Sequence, residues 1–135
     1  MNKTMDQHRA DWAWTQTEQT QNELGGRFED YVKLAEGTPA TLMMTGLGQT
    51  VAFYLTKKEA SDPHYKALLI NLASWICQDG GYRRPEQTAR RGRTGQLLRD
   101  EIIGHDRDRY QFLLDEALEY LIWLKRFAKA LSTES

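Results

Sequence analysis

The sequence contains few of the residues that build disulfides, metal sites or membrane anchors. Cys77 is the only cysteine among 135 residues, so neither an intrachain disulfide nor a thiolate metal site can form. The three histidines lie in unrelated stretches. No apolar run approaches the roughly 18 residues that span a bilayer, and the opening MNKTMDQHRADW offers no apolar stretch for a secretory signal. We therefore expect a cytoplasmic protein with no membrane segment, in which Cys77 is a small core residue.

Alternation of apolar and polar residues, the pattern of a half-buried strand, extends no further than a few residues anywhere in the sequence. Apolar residues recur instead at spacings of three and four, which is typical of helices. With 40% apolar side chains, a chain of 135 residues can form one hydrophobic core but not two. We predict an all-α fold, a compact single-domain bundle of about five to six helices over residues 1–135, with a basic flexible loop at about 79–94.

Prolines and glycines mark the predicted helix boundaries. Pro39 and Pro63 each follow a residue with an N-cap oxygen, and Asp106 offers the same oxygen to the last helix. The predicted helices are about 5–24, 27–36, 39–58 with a bend near Gly46 and Gly48, 63–78, a short one over 95–103, and 107–131. The last helix carries one wide apolar stripe, formed by Tyr110, Leu113, Leu114, Ala117, Leu121, Leu124, Ala128 and Leu131.

The first predicted helix has a different composition. After Trp12 and Trp14 it continues as TQTEQTQNE, with almost nothing apolar until Leu24. A helix of a globular protein normally buries an apolar stripe. We therefore expect the second half of this helix to be exposed, either to solvent or to a partner that supplies polar contacts.

Patterns that would indicate catalysis or metal binding are weak. Glu101 and His105 have the spacing of two ligands on one helix turn, but no second Glu/His pair completes a site. Asp115, Glu116 and Glu119 cluster on the last helix, where we expect them to solvate its polar side. We predict no catalytic residue, no metal and no cofactor, and therefore no enzymatic activity.

Charge is distributed unevenly along the chain. Residues 1–62, 63–99 and 100–135 carry formal charges of −3, +5 and −3, which give the net charge of −1. Six of the eleven arginines fall between Arg83 and Arg99, with Glu86 the only acid among them. The planar guanidinium group suits phosphate oxygens, so this segment predicts an anionic ligand. The alternative is that these arginines pair with acidic residues of the flanking segments.

Other cations can extend such a surface. Lys57 and Lys58 end the third predicted helix, and Lys125, Arg126 and Lys129 share an edge of the last one. Because no aromatic platform of the RRM kind is visible, we expect phosphate contact and shape recognition rather than base recognition. The candidate nucleic-acid contacts are Arg83, Arg84, Arg90, Arg91, Arg93, Lys57, Lys58, Lys125, Arg126 and Lys129.

Four stretches resemble a known family: DQHRADWAW near the start, GLGQTVAFYLTK (46–57), LASWICQ (72–78) and EALEYLIWLKRFAKA (116–130). Their order and spacing are similar to those of the small subunit of the type III-B CRISPR effector, the Cmr complex. The resemblance implies an α-helical, non-catalytic protein, stacked in several copies beside the subunits that hold the guide RNA. It also implies contact with the guide–target RNA duplex, for which Lys125 and Arg126 lie inside a matching motif.

Three hypotheses of function follow. The first is a non-catalytic RNA-binding subunit whose partners are guide RNA, target RNA, other Cmr subunits and copies of itself. The second is a protein-interaction scaffold whose arginines bind acidic patches on neighbouring subunits. The third, a stand-alone nuclease or other enzyme, has the least support because no nucleophile or acid–base pair is identifiable in the sequence.

Overall fold

The structure, a computed structural model, describes residues 3–76, 102–104 and 106–134. All regular elements in these residues are helical, which confirms the predicted all-α class. The first helix has the predicted bounds, and another helix begins at Pro63, as predicted. In chain order the elements are α1 (Met5–Leu24), a 3-10 turn (Gly25–Arg27), α2 (Phe28–Thr45), α3 (Leu47–Leu55), α4 (Pro63–Ile76) and α5 (Arg107–Glu134).

Four long helices, α1, α2, α4 and α5, pack around one hydrophobic core, and α5 contacts each of the other three. Helix α3 has nine residues and lies against α2 and α4. Within the described residues the bundle is thus built from four long helices, with the short α3 packed against two of them, rather than from the predicted five to six. The prediction divided the chain at Pro39, where the structure does not, and added a helix at 95–103, a range that lies largely outside the described residues.

Helix α2 continues through Pro39. A proline inside a helix removes one backbone hydrogen bond and costs about 3 kcal/mol. Tertiary packing outweighs this cost, because Thr38 and Leu42 on either side of the proline are buried. The Thr38 hydroxyl donates to the Leu34 carbonyl (2.7 Å) and lies 2.8 Å from the Tyr54 hydroxyl. A helix break at Thr38 would disrupt these buried contacts.

The bend predicted near Gly46 is a complete break between α2 and α3. Gly46 has a φ of 88°, and its N–H donates to the Leu42 carbonyl (2.9 Å). A Cβ at this position would lie 3.1 Å from the Tyr110 hydroxyl, which also accepts from the Gly48 N–H (3.1 Å). Glycine is therefore required both for the backbone conformation and for the close approach. The hydrogen bond between Gly48 and Tyr110 thus holds the junction of α2 and α3 against the first turn of α5.

The apolar stripe predicted for the last helix is confirmed. Leu113, Ala117, Leu121, Leu124 and Ala128 are fully buried, and Tyr110, Leu114 and Leu131 pack partly buried against the same core. Helix α5 begins at Arg107, as predicted, because the Asp106 carboxylate accepts from the Arg109 N–H (3.0 Å).

The prediction that the second half of α1 is exposed is wrong for its inward face. Gln16, Thr17 and Thr20 are buried between α4 and α5. The Thr17 hydroxyl donates to the Ala13 carbonyl (2.6 Å), and the Thr20 hydroxyl donates to the Gln16 carbonyl (2.8 Å). Because each hydroxyl is satisfied within its own helix, the threonine methyl group is free to pack like that of valine.

Asn71 of α4 joins three helices inside the core. Its side-chain amide donates to the Thr20 hydroxyl of α1 (3.0 Å) and to the Tyr31 hydroxyl of α2 (2.6 Å). Nearby, the Trp12 indole N–H donates to the Ser74 hydroxyl (2.9 Å). Burial raises the pKa of Tyr31, so its phenol stays protonated and available for hydrogen bonding. The buried polar groups therefore set the register between α1, α2 and α4.

Glu116 was predicted to solvate the polar side of α5. In the structure it instead holds α1 and α4 to this helix. It accepts a bidentate pair of bonds from Arg9 (2.7 and 3.1 Å) and one from the Trp75 indole (2.9 Å). Burial alone would raise the pKa of Glu116, but the bonds from Arg9 and Trp75 outweigh it and hold the pKa below its usual value. Both partners of the ion pair are mostly buried, with side chains 13% and 17% exposed.

Candidate nucleic-acid interface

Half of the predicted contacts lie outside the described residues. These are Arg83, Arg84, Arg90, Arg91 and Arg93, together with the whole predicted loop at 79–94. Cys77, Glu101 and His105 also lie outside the described residues. The remaining candidates, Lys57, Lys58, Lys125, Arg126 and Lys129, are described, and their positions can be compared.

Lys57 is held over two aromatic rings. Its ammonium nitrogen lies 4.5 Å from the ring centroid of Phe53 and 5.3 Å from that of Tyr65. Such cation–π contacts position an ammonium group without using its three hydrogen-bond donors. The Lys57 side chain is therefore already oriented before a ligand binds, while its charge and its hydrogen-bond donors remain available to an anion.

The three cations of α5 differ in their surroundings. Lys125 and Lys129 are one helical turn apart, and the Lys129 ammonium lies 3.6 Å from a Glu36 carboxylate oxygen of α2. Lys125 and Arg126 have no carboxylate at ion-pair distance among the described residues. The charge of Lys129 is thus partly compensated, whereas those of Lys125 and Arg126 are more available to a ligand.

Contacts at the first half of α2 involve both segments that carry these cations. In the segment after α3, Ser61 accepts from Arg27, the residue before α2 (2.9 Å). At the end of α5, Ser132 donates to Glu29 and Lys129 pairs with Glu36. Segments more than 60 positions apart in sequence, those that contain Lys57 and Lys125, therefore both reach α2 or the residue before it.

Lys33 is a further cation in this region that the sequence analysis did not select. It is exposed on α2, four residues after Glu29 and three before Glu36, both of which contact α5. Residues at these spacings share one helix face, so Lys33 lies on the α5 side of α2. In the sequence this alternation of acid and base is typical of a solvated helix face, and only the contacts with α5 distinguish Lys33 from other surface lysines.

Acidic residues also occupy the first half of α2, and several of them are already paired. Arg27 donates to Asp30 (2.7 Å), and this hydrogen bond lowers the pKa of the Asp30 carboxyl. Glu36 is engaged by Lys129. In the described part of the chain, Lys33, Lys57, Lys58, Lys125 and Arg126 have no carboxylate at ion-pair distance, and neither does Arg107 at the start of α5.

One end of the bundle exposes several apolar side chains. Met43 and Met44, at the end of α2, are 71% and 84% exposed, and Ile103 and Phe112 are also exposed. The bond from Gly48 to Tyr110 brings the end of α2 and the beginning of α5 together here. Exposed apolar groups that cluster in this way are typical of protein contacts.

The described residues contain no group of three or more His, Cys, Asp and Glu side chains placed to hold a metal ion. Over the same ranges no helix combines the length and the apolar character needed to cross a membrane. The expected absence of a metal, a cofactor and a catalytic residue stays a prediction.

Comparison with protein families identifies the chain. The family described as CRISPR-associated protein (Cas_Cmr5) matches residues 5–131, which is nearly the whole sequence. The chain belongs to the Cas_Cmr5 family. This confirms the resemblance to the small subunit of the Cmr complex.

Membership of the Cas_Cmr5 family makes the chain a subunit of the CRISPR Cmr complex, with the other Cmr subunits as its partners. The matched range includes every candidate contact, from Lys33 to Lys129. It also includes the apolar end formed by Met43, Met44, Ile103 and Phe112. Both surfaces therefore belong to the part of the chain that the Cas_Cmr5 family shares.

Proposed function

We propose that the chain is a non-catalytic RNA-binding subunit of the Cmr complex that acts in the cytoplasm in antiviral defence. In this proposal it stacks in several copies and stabilises the duplex of guide and target RNA through basic surface residues. Base pairing with the guide supplies sequence recognition, and the subunit supplies affinity for the backbone.

The observation that carries the proposal is that Lys33, Lys57, Lys58, Lys125 and Arg126 have no carboxylate at ion-pair distance in the described part of the chain. Lys57 and Lys58 follow α3, Lys125 and Arg126 lie on α5, and Lys33 lies on α2. Each lysine or arginine that contacts a phosphate releases counterions, which makes the binding free energy depend strongly on salt. Few phosphates are engaged by one subunit, so binding by the free chain is weak and increases when copies align.

The chemistry of these side chains supports holding RNA rather than cutting it. Lysine and arginine donate hydrogen bonds and carry positive charge, whereas acid–base cleavage also requires a group that accepts a proton. Two carboxylates of α2, Glu36 and Asp30, are engaged by Lys129 and Arg27. The predicted contacts Arg83, Arg84, Arg90, Arg91 and Arg93 would enlarge the same kind of surface.

Two double variants test the proposal, Lys57→Ala/Lys58→Ala and Lys125→Ala/Arg126→Ala. Fluorescence anisotropy with an RNA duplex, measured over a series of salt concentrations, gives the affinity and its salt dependence. Each double variant should weaken binding and lower the slope of log affinity against log salt by about 1 to 2, because about one phosphate contact is lost for each cation removed.

The control is Lys3→Ala, which removes an exposed lysine that pairs with Asp11 at the start of α1. It should leave both the affinity and the slope unchanged. If the double variants bind RNA with the wild-type affinity and salt slope, the described cations are not RNA contacts.

The alternative function, a protein-interaction scaffold, is favoured by the apolar end of the bundle. Met43→Glu/Met44→Glu places charge on that surface without altering the buried core. If the chain is mainly a scaffold, this variant loses co-purification with the other Cmr subunits, and the arginine and lysine variants lose it as well. If the cations serve RNA, the cation variants assemble normally and lose only RNA affinity.

A further inference from the structure

The outer face of α3 is unusual for a short surface helix. Its sequence, LGQTVAFYL, contains no charged residue, although the helix buries only one side. Leu47, Thr50, Val51 and Tyr54 are buried against α2 and α4, and the solvent side presents Phe53 together with Ala52 and Leu55. Surface helices normally present charged or polar side chains to water.

Phe53 is the centre of this face. Its side chain is 54% exposed, and one side of its ring is covered by the Lys57 ammonium at 4.5 Å from the centroid. The ring is therefore held against a cation while much of its surface remains open. An exposed aromatic ring beside lysines is the combination with which proteins bind single-stranded nucleic acid, since the ring stacks on a base and the lysines contact the backbone.

The lysines that follow Phe53 have no carboxylate at ion-pair distance among the described residues. Lys57 is held by the rings of Phe53 and Tyr65 rather than by a carboxylate, and Lys58 is exposed. The nearest acidic residue in sequence, Glu59, is bound by Lys66 at 3.2 Å. The surface thus offers a partly open ring with Lys57 over it, followed in the chain by the exposed Lys58.

We propose that Phe53, Lys57 and Lys58 form a binding site for one unpaired nucleotide of RNA, in which the base stacks on the Phe53 ring and the phosphate contacts the lysines. The inference rests on the proposed RNA-binding function and adds a contact to a base. It revises the expectation that only the backbone and the shape of the RNA are recognised. Bases inside a duplex are already stacked and paired, so the site selects unpaired nucleotides.

The test uses the full chain with two RNA ligands, a single-stranded oligonucleotide and a blunt duplex. Phe53→Leu keeps an apolar side chain and removes the ring, and Phe53→Trp keeps a ring. Phe53→Leu should lower the affinity for the single strand about five- to tenfold, at the lower end of what one stacked base contributes. It should leave the affinity for the duplex unchanged, and Phe53→Trp should bind both ligands as the wild type does.

A matched control is available at the other end of the molecule. Phe112 is also an exposed phenylalanine beside a cation, with the Arg109 guanidinium 5.3 Å from its ring centroid. Phe112→Leu should leave the affinity for both RNA ligands unchanged. Ultraviolet cross-linking of the single strand, followed by mass spectrometry, should attach RNA to the peptide that contains Phe53 and not to the one that contains Phe112.

The outcomes separate this site from the proposed function. If Phe53→Leu binds the single strand like the wild type while Lys57→Ala/Lys58→Ala binds both ligands more weakly, the stacking site is wrong and RNA binding stands. If neither these variants nor Lys125→Ala/Arg126→Ala changes RNA affinity, both proposals are wrong. If Phe53→Leu loses assembly with Cmr subunits and keeps its RNA affinity, the face binds protein and the stacking site is again wrong.

Discussion

Helices α1 and α5 lie side by side in the same core, yet they bury different kinds of side chain. Helix α5 buries a stripe of leucine and alanine that includes Leu121 and Leu124. Helix α1 buries Gln16, Thr17 and Thr20 as well as Trp12 and Ala13. The difference shows that a buried helix face need not be wholly apolar in sequence, since the Thr17 and Thr20 hydroxyls are hydrogen-bonded inside the protein.

Leucine burial in α5 should have the largest effect on stability. Leu124→Ala leaves a cavity at a fully buried position, and we expect a loss of about 3 kcal/mol in the free energy of unfolding. Urea denaturation measures this loss. Ile122→Ala on the outer side of the same helix is the control and should change stability by less than about 0.5 kcal/mol. Equal effects of the two substitutions would contradict the assigned orientation of α5.

The polar contacts of α1 should have a smaller but specific effect. Asn71→Ala removes the donor to Thr20 and Tyr31 and should cost about 2 kcal/mol, because the buried Tyr31 hydroxyl loses that partner. The loss should be smaller in a Tyr31→Phe background, as a double-mutant cycle by urea denaturation would show.

Thr17→Val is the matched control for this prediction. Its hydroxyl bonds only to the Ala13 carbonyl of its own helix, so its removal should change stability by less than about 1 kcal/mol. A loss for Thr17→Val as large as that for Asn71→Ala would mean that the buried threonines of α1 contribute more through their hydroxyls than through their methyl groups.

The ion pair of Arg9 and Glu116 joins α1 and α5. Its loss should have the smallest effect of the three on the free energy of unfolding at neutral pH, and this effect should depend on pH. Glu116→Gln should cost about 1 kcal/mol, less than a fully buried pair would, because Arg9 and Glu116 retain some exposure. The folded-state pKa of Glu116 lies below its usual value of 4.5, so its contribution is present above that pH and is lost as the pH falls through the folded-state pKa.

Thermal unfolding of wild type and Glu116→Gln, from neutral pH down through the folded-state pKa of Glu116, measures the difference in stability. The two proteins should differ at neutral pH and converge in acid. Asp115→Asn, which removes one negative charge from the exposed side of the same helix, is the control and should stay close to the wild type at neutral pH. A constant difference between wild type and Glu116→Gln at all pH values would exclude the charge of Glu116 as its cause.

Sequence analysis predicted the features that depend on local pattern. Neighbouring residues were enough to predict the all-α fold class, the bounds of α1 and the start of α4. They were also enough to predict the N-cap at Asp106 and the apolar stripe of α5. It failed where tertiary contacts outweigh local preference. Pro39 lies inside a helix because its neighbours are buried, and the threonines of α1 are buried because their hydroxyls bond to their own helix.

The candidate interface was predictable only in part. Lys57, Lys58, Lys125 and Arg126 were selected from charge and from the family resemblance, but only the structure shows that none of them has a described carboxylate at ion-pair distance. Lys33 was missed because the acids around it make its helix face resemble an ordinary solvated surface. Phe53 was missed because its exposure depends on which side of α3 packs against the bundle.

The bond between Gly48 and the Tyr110 hydroxyl fixes the position of α3 on the bundle. It anchors the beginning of α3 to the same helix that carries Lys125, and the contact between Tyr54 and Thr38 anchors its end. The helix that precedes Lys57 and Lys58 is therefore held at both ends. Under the proposed function, RNA that contacts these lysines meets a surface that the fold has already positioned.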